Sequence, residues 1–459
     1  MSTRYDDIVI GAGQAGGPLS TALARAGRRV ALVEREHVGG SCINEGCTPT
    51  KTMVASARVA YLARRAADYG VVTGGVRVDL ARVRQRKRDI VESFRGGSQK
   101  RIEQVDGVDL LFGEARFTAP LTVEVALNDG GRRALTAERV FINVGTRAAL
   151  PDLDGLADVP ALDNRSIMEL DTVPEHLIVI GGGYIGLEFG QMFRRFGSRV
   201  TIVHRGAQLL AREDDDVASA VADVLRDDGI ELRLETIPRR IRGDDGGIEL
   251  VVDREGREAT IRGSHVLLAT GRRSNADRLD LAAGGVAADA RGFVTVNARL
   301  EASAPNVYAM GDVKGGPAFT HISYDDYRIL RGNLIEGGST STSGRLVPYT
   351  VFIDPQLGRV GMSEREAQAS GRRILVAKLP MTSVARAIEM DETRGFMKAV
   401  VDAGTGAILG AAVLGVEGGE VMATLQMAMM GGVGYQTIRD GVFAHPTLAE
   451  SLNNLFMGM

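Results

Sequence analysis

Short apolar runs punctuate this chain, and four of them stop at a glycine. They are Asp7-Ile8-Val9-Ile10 before Gly11, Val140-Phe141-Ile142-Asn143-Val144 before Gly145, Leu177-Ile178-Val179-Ile180 before Gly181, and Val266-Leu267-Leu268-Ala269-Thr270 before Gly271. Runs of this length bounded by turn residues read as strands buried on both faces. Two of them open the same series of elements. Gly11-Ala12-Gly13-Gln14-Ala15-Gly16 leads into helical spacing from Pro18 to Ala26, then a strand from Arg29 to Val33 that ends at Glu34. Gly181-Gly182-Gly183-Tyr184-Ile185-Gly186 leads into a helical stretch through Phe196, then the strand Val200-Thr201-Ile202-Val203. Strand, glycine turn, helix and strand, twice over, predict an α/β chain with two Rossmann-like dinucleotide-binding folds.

The pattern elsewhere is more mixed. Residues Met53 to Val105 read as mainly helical, with Arg82, Arg84, Arg86, Lys87 and Arg88 on a solvated face. Leu110 to Ala126 is strand-like, and Val307-Tyr308-Ala309-Met310-Gly311-Asp312 is a strand ending at an acid. Glu213-Asp214-Asp215-Asp216 reads as charge at the N-terminus of the following helix. The Gly/Ser/Thr run from Gly337 to Gly344 marks a domain boundary. Beyond it come a strand near Tyr349 to Ile353, a helix with Ser363 and Glu366 as a capping box, a hairpin across Gly404-Thr405-Gly406 and a helix from Glu420 to Met430. Met422, Met427, Met429 and Met430 on that helix read as core or subunit interface.

Length and charge narrow the class. A chain of 459 residues suggests roughly three domains. The boundaries expected are 1–150 with 272–338 for a split first nucleotide domain, 151–271 for a second, a linker at 337–345, and an α+β domain at 346–459. A formal net charge of −3 argues against nucleic acid or an anionic membrane as general partner. Met1 to Asp7 lacks a signal-peptide pattern, and no stretch is long and apolar enough to span a bilayer. The expectation is a cytoplasmic enzyme.

Candidate chemistry gathers in Gly39-Gly40-Ser41-Cys42-Ile43-Asn44-Glu45-Gly46-Cys47-Thr48-Pro49-Thr50-Lys51, which holds both cysteines of the chain. Residues five apart on a regular helix point to different faces, so a Cys42–Cys47 bridge needs an irregular turn, which Gly46 supplies. Thr48 and Pro49 then read as N-cap and first position of a helix towards Arg58. A thiol near a helix N-terminus favours its thiolate, the reactive form. So short a loop would constrain little as a structural disulfide, and structural zinc needs about four ligands, more than the two cysteines and His37, the one histidine near them in sequence, supply. Redox chemistry is the reading adopted.

The two glycine turns differ downstream. Twenty-three positions after Gly11 stands Glu34, and twenty-three after Gly181 stands His204, followed by Arg205. A carboxylate there accepts from a ribose hydroxyl, whereas a guanidinium accommodates the extra phosphate of NADP. Gly11, Gly13, Gly16 and Glu34 therefore suit FAD, and Gly181, Gly183, Gly186, His204 and Arg205 suit NADPH, with NADH the weaker candidate. Arg205 as an ordinary surface arginine stays open, as does Arg212 as a second phosphate contact. Asp312 reads as a contact to a sugar-like hydroxyl or as a turn aspartate. His445 reads as a proton carrier or a structural histidine. Glu450 has capping-box spacing from Thr447, so a pure helix cap also stays open.

Taken together, the cysteine block, both glycine turns, Val144-Gly145, Ala269-Thr270-Gly271, Gly311-Asp312 and His445-Pro446-Thr447-x-x-Glu450 resemble, in this order, the pyridine nucleotide-disulfide oxidoreductases. That is the class I group of glutathione reductase, dihydrolipoamide dehydrogenase and mercuric reductase. The resemblance covers essentially the full length. It implies that Cys42 is the interchange thiol and Cys47 the thiol against the flavin, that Lys51 and Glu188 pair near the flavin, and that Asp312 contacts the ribityl chain. It also implies that Tyr184 gates the nicotinamide pocket, that Gly271 and Gly311 belong to the cofactor sites, and that His445 and Glu450 are an acid-base dyad supplied across a homodimer. Within the group the chain is similar to the mercuric-reductase-like and reactive-chlorine-resistance-like branches. Its tail, Asn453 to Met459, lacks the vicinal cysteines with which mercuric reductases end. The activity implied is electron transfer from NADPH through FAD to Cys42 and Cys47, then to a small oxidant, metal ion or disulfide. The alternatives weighed are dihydrolipoamide dehydrogenase and a flavin redox sensor without turnover.

Overall fold

The computed structural model describes residues 2–244 and 247–459. The chain folds as two compact units, one of 1–52, 82–149 and 271–345, the other of 53–81, 150–270 and 346–459.

In the first unit the apolar runs become neighbours in an eight-stranded sheet. Its order is Thr3–Arg4, Arg132–Thr136, Thr122–Leu127, Val108–Ala119, Val30–Glu34, Asp7–Ile10, Arg139–Ile142, Val307–Ala309. The strands from Val108 to Val307 in that order pair in parallel. Period-two alternation splits their side chains between two cores. Ile8, Ile10, Ala31 and Val33 face one, and Val9, Val30 and Leu32 face the other with Leu19 and Leu23 of helix Gly16–Arg25. The strand ends therefore converge on the glycine turn.

The second unit repeats the module. Glu231–Arg233, Arg199–Val203, His176–Ile180 and His265–Leu268 form a parallel sheet beside helix Tyr184–Phe196. An antiparallel meander, Ile237–Asp244, Gly247–Arg254 and Arg257–Gly263, packs Ile248, Leu250 and Val252 against Ile178, Ile180, Val266 and Leu268. A five-stranded antiparallel sheet follows, in the order Tyr349–Val351, Gln356–Gly361, Ile408–Gly415, Phe396–Asp402, Ile374–Pro380. Leu425 of helix Gly418–Met430 and Leu452, Leu455 and Phe456 of helix Ser451–Met457 are buried in its core. The Ser363 capping box has both of its bonds.

Several expectations shift. The helix after the cysteines runs Cys47–Arg64, so it starts at Cys47 and Pro49 sits inside the first turn, where a missing N–H costs nothing. Its residues from Met53 onward, through Ala81, count with the second unit. Lys87 is buried, unlike Arg82, Arg86 and Arg88 beside it on helix Leu80–Glu103. Glu213 is buried too and pairs with Arg359 at 3.3 Å, while Asp215 and Asp216 do occupy the first turn of helix Asp215–Asp227. Met422 is core, but Met427 and Met430 are exposed. The 337–345 segment is tied down: Asn333 bonds Thr340, Thr342 N donates to Ala298 O, and Arg345 pairs with Asp326. Among the described residues no helix is long and apolar enough to cross a membrane.

Candidate active site

The cysteine block is built against the first glycine turn. Gly39 N donates to Ala12 O at 2.8 Å, and Gln14 Nε2 donates to Gly39 O at 3.0 Å. Gly40, at φ +60°, lies so close that a Cβ would meet Gly13 Cα at 2.8 Å. Asn44, between the cysteines, donates to Val38 O and Gly40 O, and its own oxygen accepts from Arg95 Nε at 2.7 Å. A short helix, Gly40–Asn44, carries Cys42; Glu45 and Gly46 break it, and Cys47 opens the next. Gly46 is there for space rather than for φ, since a Cβ would lie 2.9 Å from Ser41 O.

The structure holds the pair as thiols, Cys42 half-buried and Cys47 exposed. The hydrogen bond with Cys47 pushes the Cys42 thiol strongly up, and burial adds to it, against smaller opposing effects of Thr320 and the Lys51 ammonium. The hydrogen-bonded pair therefore holds on to its second proton. Thr320 Oγ1, in the first turn of helix Thr320–Leu334, lies 3.3 Å from Cys47 Sγ.

In the glycine turn, Gly11 has φ +105° and a Cβ there would strike Asn143 O, while one on Gly16 would strike Gly11 O at 2.0 Å. Asn143 Nδ2 donates to Gly11 O at 3.0 Å. Glu34 Oε2 accepts from Ala12 N at 2.9 Å and Oε1 from Glu36 N. Asp312 follows Gly311, whose N–H is held by buried Asp326 at 2.8 Å. Burial pushes the Asp312 carboxyl up, opposed by Arg272 and by Thr146, whose hydroxyl lies 3.1 Å away. Arg272 Nε donates to that hydroxyl at 2.7 Å, so its single hydrogen goes to Asp312.

In the second unit Gly181 has φ +125° and packs on Ala269 O, Gly186 packs on Gly181 O, and a Cβ on Gly183 would meet nothing. Tyr184 opens the helix, half-buried. His204 is turned inward with Nδ1 accepting from Gly182 N at 3.2 Å, and Arg205 is exposed. Buried Glu188 accepts from Phe352 N at 2.9 Å. His445 Nδ1 lies 3.0 and 2.8 Å from the two carboxylate oxygens of Glu450, leaving Nε2 for chemistry. Glu450 N, meanwhile, donates to Thr447 Oγ1. The acid thus serves the histidine, and only its backbone is capped.

Cys42, Cys47, Lys51, Glu34, Asp312 and Gly271 lie in the first unit, and Glu188, Tyr184, His204, Arg205, His445 and Glu450 in the second. Sequence reasoning missed Thr320, Thr146, Arg272, Asn143, Asp326 and Asn44. Asn143, a polar residue inside an apolar strand run, carried the only local signal among them.

Two Rossmann-like modules and a dithiol beside a glycine-rich turn define a flavin- and nicotinamide-dependent oxidoreductase. Residues 5–326 match the pyridine nucleotide-disulphide oxidoreductase family and residues 347–456 its dimerisation domain, and the chain belongs to that family. It is 38% identical over 457 residues to the probable pyridine nucleotide-disulfide oxidoreductase RclA of Escherichia coli strain K12, covering 99% of each chain. It is 34% identical to a mercuric reductase of Bacillus cereus, covering 98% of this chain and 70% of the other. A solved Cu(II) complex of a cysteine-to-serine mutant of the HOCl-induced flavoprotein disulfide reductase RclA from Escherichia coli superposes with a TM-score of 0.91 at 38% identity, over 99% of each chain. The protein is a flavoprotein disulfide oxidoreductase.

Proposed function

We propose that the chain is an NADPH-dependent FAD enzyme that delivers electron pairs through Cys42 and Cys47 to a small sulfur-reactive oxidant or to Cu(II). The observation that carries this is the dithiol, with Cys47 exposed and Cys42 half-buried on a block built against a dinucleotide turn. The cofactor readings fit the residues present: Glu34 and Asp312 offer carboxylates for FAD hydroxyls, and the open space at Gly183 leaves room for a pyrophosphate. Bound FAD supplies the relay of two electrons from the nicotinamide to the disulfide.

The residues then act on the oxidant. Cys42 gives up its proton to a base, for which His445 Nε2, with the ring oriented by Glu450, is suited. With hypothiocyanous acid, Cys42 Sγ attacks the electrophilic sulfur and hydroxide leaves, taking the proton from His445 to become water. Cys47 Sγ, giving its proton to the solvent to which it is exposed, then attacks Cys42 Sγ, thiocyanate leaves, and the disulfide remains for the next reduction. With Cu(II), each ion takes one electron and two ions close one cycle. The Escherichia coli relative is HOCl-induced and has been solved in complex with Cu(II), which is in keeping with a small oxidant or copper as acceptor.

The domain reading proposed is FAD binding by 1–150 with 272–338, NADP binding by 151–271, and homodimerisation by 346–459, with one copy's dyad serving another's cysteines. Thiol chemistry of this kind suits a reducing compartment, the cytoplasm. A dihydrolipoamide dehydrogenase is the second reading, favoured by the intact His445–Glu450 pair. Initial rates of NADPH and NADH oxidation with hypothiocyanous acid, Cu(II) and lipoamide, alongside Cys42→Ser, test the choice. Cys42-dependent turnover of the small oxidants with NADPH is expected. Faster lipoamide turnover with the NAD couple would overturn it in favour of the second reading.

A further inference from the structure

The two glycine turns carry different second residues, Ala12 and Gly182, and the residues they bond explain the difference. Ala12 N donates to the Glu34 carboxylate at 2.9 Å, whereas Gly182 N donates to His204 Nδ1 at 3.2 Å. The acceptor stands twenty-three positions after the first glycine in both turns. A carboxylate reaches past a methyl group, but the imidazole does not. A Cβ on Gly182 would lie 2.7 Å from His204 Cγ, and also 2.8 Å from Leu209 Cδ2.

An imidazole that accepts at Nδ1 is neutral, with its hydrogen on Nε2. The loop carrying Arg205 is further laced by Leu210 N to Gly182 O at 3.0 Å, Glu235 N to Gly206 O and Thr236 N to His204 O. His204 Nδ1 is therefore committed to the glycine turn and not to a ligand.

We infer that His204 is a positioning residue and not a phosphate ligand: it stands in, uncharged, for the ribose-binding carboxylate. It holds the glycine turn and the Arg205 loop together while removing the negative charge that would repel a 2′-phosphate. Selectivity for that phosphate then falls on Arg205. The inference rests on the NADPH reading above.

Dissociation constants of NADP⁺, NAD⁺ and 2′,5′-ADP, measured by calorimetry on the flavin-loaded protein, test it. His204→Leu removes the ring bond to Gly182 and is expected to weaken NADP⁺ and NAD⁺ alike, by about tenfold each, the scale of one hydrogen bond. His204→Asn keeps the acceptor for Gly182 and should recover most of the loss. A loss confined to NADP⁺ and 2′,5′-ADP would make His204 a phosphate ligand and overturn the inference. Gly182→Ala should weaken both dinucleotides, and adding His204→Glu, which recreates the Ala12 and Glu34 pairing, should restore NAD⁺ but not NADP⁺. A double variant no better than Gly182→Ala would also overturn it. Arg205→Ala examines the underlying reading by itself. An unchanged NADP⁺ to NAD⁺ ratio there would sink the NADPH assignment, while equal losses in His204→Leu would still establish the loop role.

Discussion

Thr320 Oγ1 lies 3.3 Å from Cys47 Sγ, in the first turn of its own helix. A hydroxyl has one hydrogen to give, and giving it to sulfur favours the thiolate over the thiol. Thr320→Val should raise the apparent pKa of the first thiol ionisation by about one unit, with Thr320→Ser restoring it. Ultraviolet thiolate absorbance of the reduced protein across pH is the measurement, and an unmoved titration would exclude this role. Residue roles of this kind were only partly legible. Cys42 and Cys47 stood out because the chain has no other cysteine. Thr320 is 273 positions from Cys47, and nothing local marks it. Glu450 shows the limit differently: its spacing from Thr447 fits a capping box, yet the side chain turns to His445, a choice that only the folded geometry decides.

Helix Tyr184–Phe196 was legible as an element, from its glycine turn and periodicity, but not what its buried polar face holds. Glu188, Gln191 and Arg195 stand three and four positions apart, so they share one face. All three grip one short stretch of backbone. Phe352 N donates to Glu188, Asp354 N donates to Gln191 Oε1 at 2.7 Å, Gln191 Nε2 donates to Asp354 O at 2.8 Å, and Arg195 pairs with the Asp354 carboxylate. Gln191→Leu would leave the Asp354 N–H buried without its acceptor. A loss of about 1–3 kcal/mol in urea unfolding is expected. An unfolding free energy that does not change would show that Gln191 does not hold this stretch.

The second unit is assembled from three stretches of chain far apart in sequence, and its ion pairs stitch them. Arg58, Arg65, Arg195 and Arg394 surround the Tyr61 ring, with Arg195 Cζ 3.9 Å from its centroid. Asp354 binds Arg58 at 2.5 Å as well as Arg195, and Glu392 binds Arg58 and Arg65. Lys398 gathers Asp214, Asp216 and Glu364. Such partners are why 53–81 joins this unit instead of its neighbours in sequence, and no local pattern announces them. They also set an acid limit. Burial raises the Asp354 carboxyl, but Arg195 and Arg58 outweigh it and the net shift is downward. Asp214 and Asp216 are likewise held low, burial being outweighed by backbone N–H groups and Lys398 at the first and by Lys398 and Lys378 at the second. A carboxylate depressed on folding stabilises fully above its unfolded pKa of about 3.9, and that stabilisation is lost as pH falls through the lower folded value. Glu213, raised by burial, acts with the opposite sign and offsets part of this: its contribution is present in acid and fades as pH rises. Asp312, also raised by burial, acts as Glu213 does, but the three depressed carboxylates outnumber these two, so stability should decline below about pH 4. Asp354→Asn should cost about 3–5 kcal/mol at pH 7, the scale for breaking a buried pair, because Arg195 and Arg58 lose their counter-charge. The gap to the unmodified protein should then narrow as acid protonates Asp354. Urea unfolding of both proteins at steps from pH 7 to pH 3 reads this directly, and a gap that stays constant across the range would mean that the Asp354 pairs do not set the acid limit.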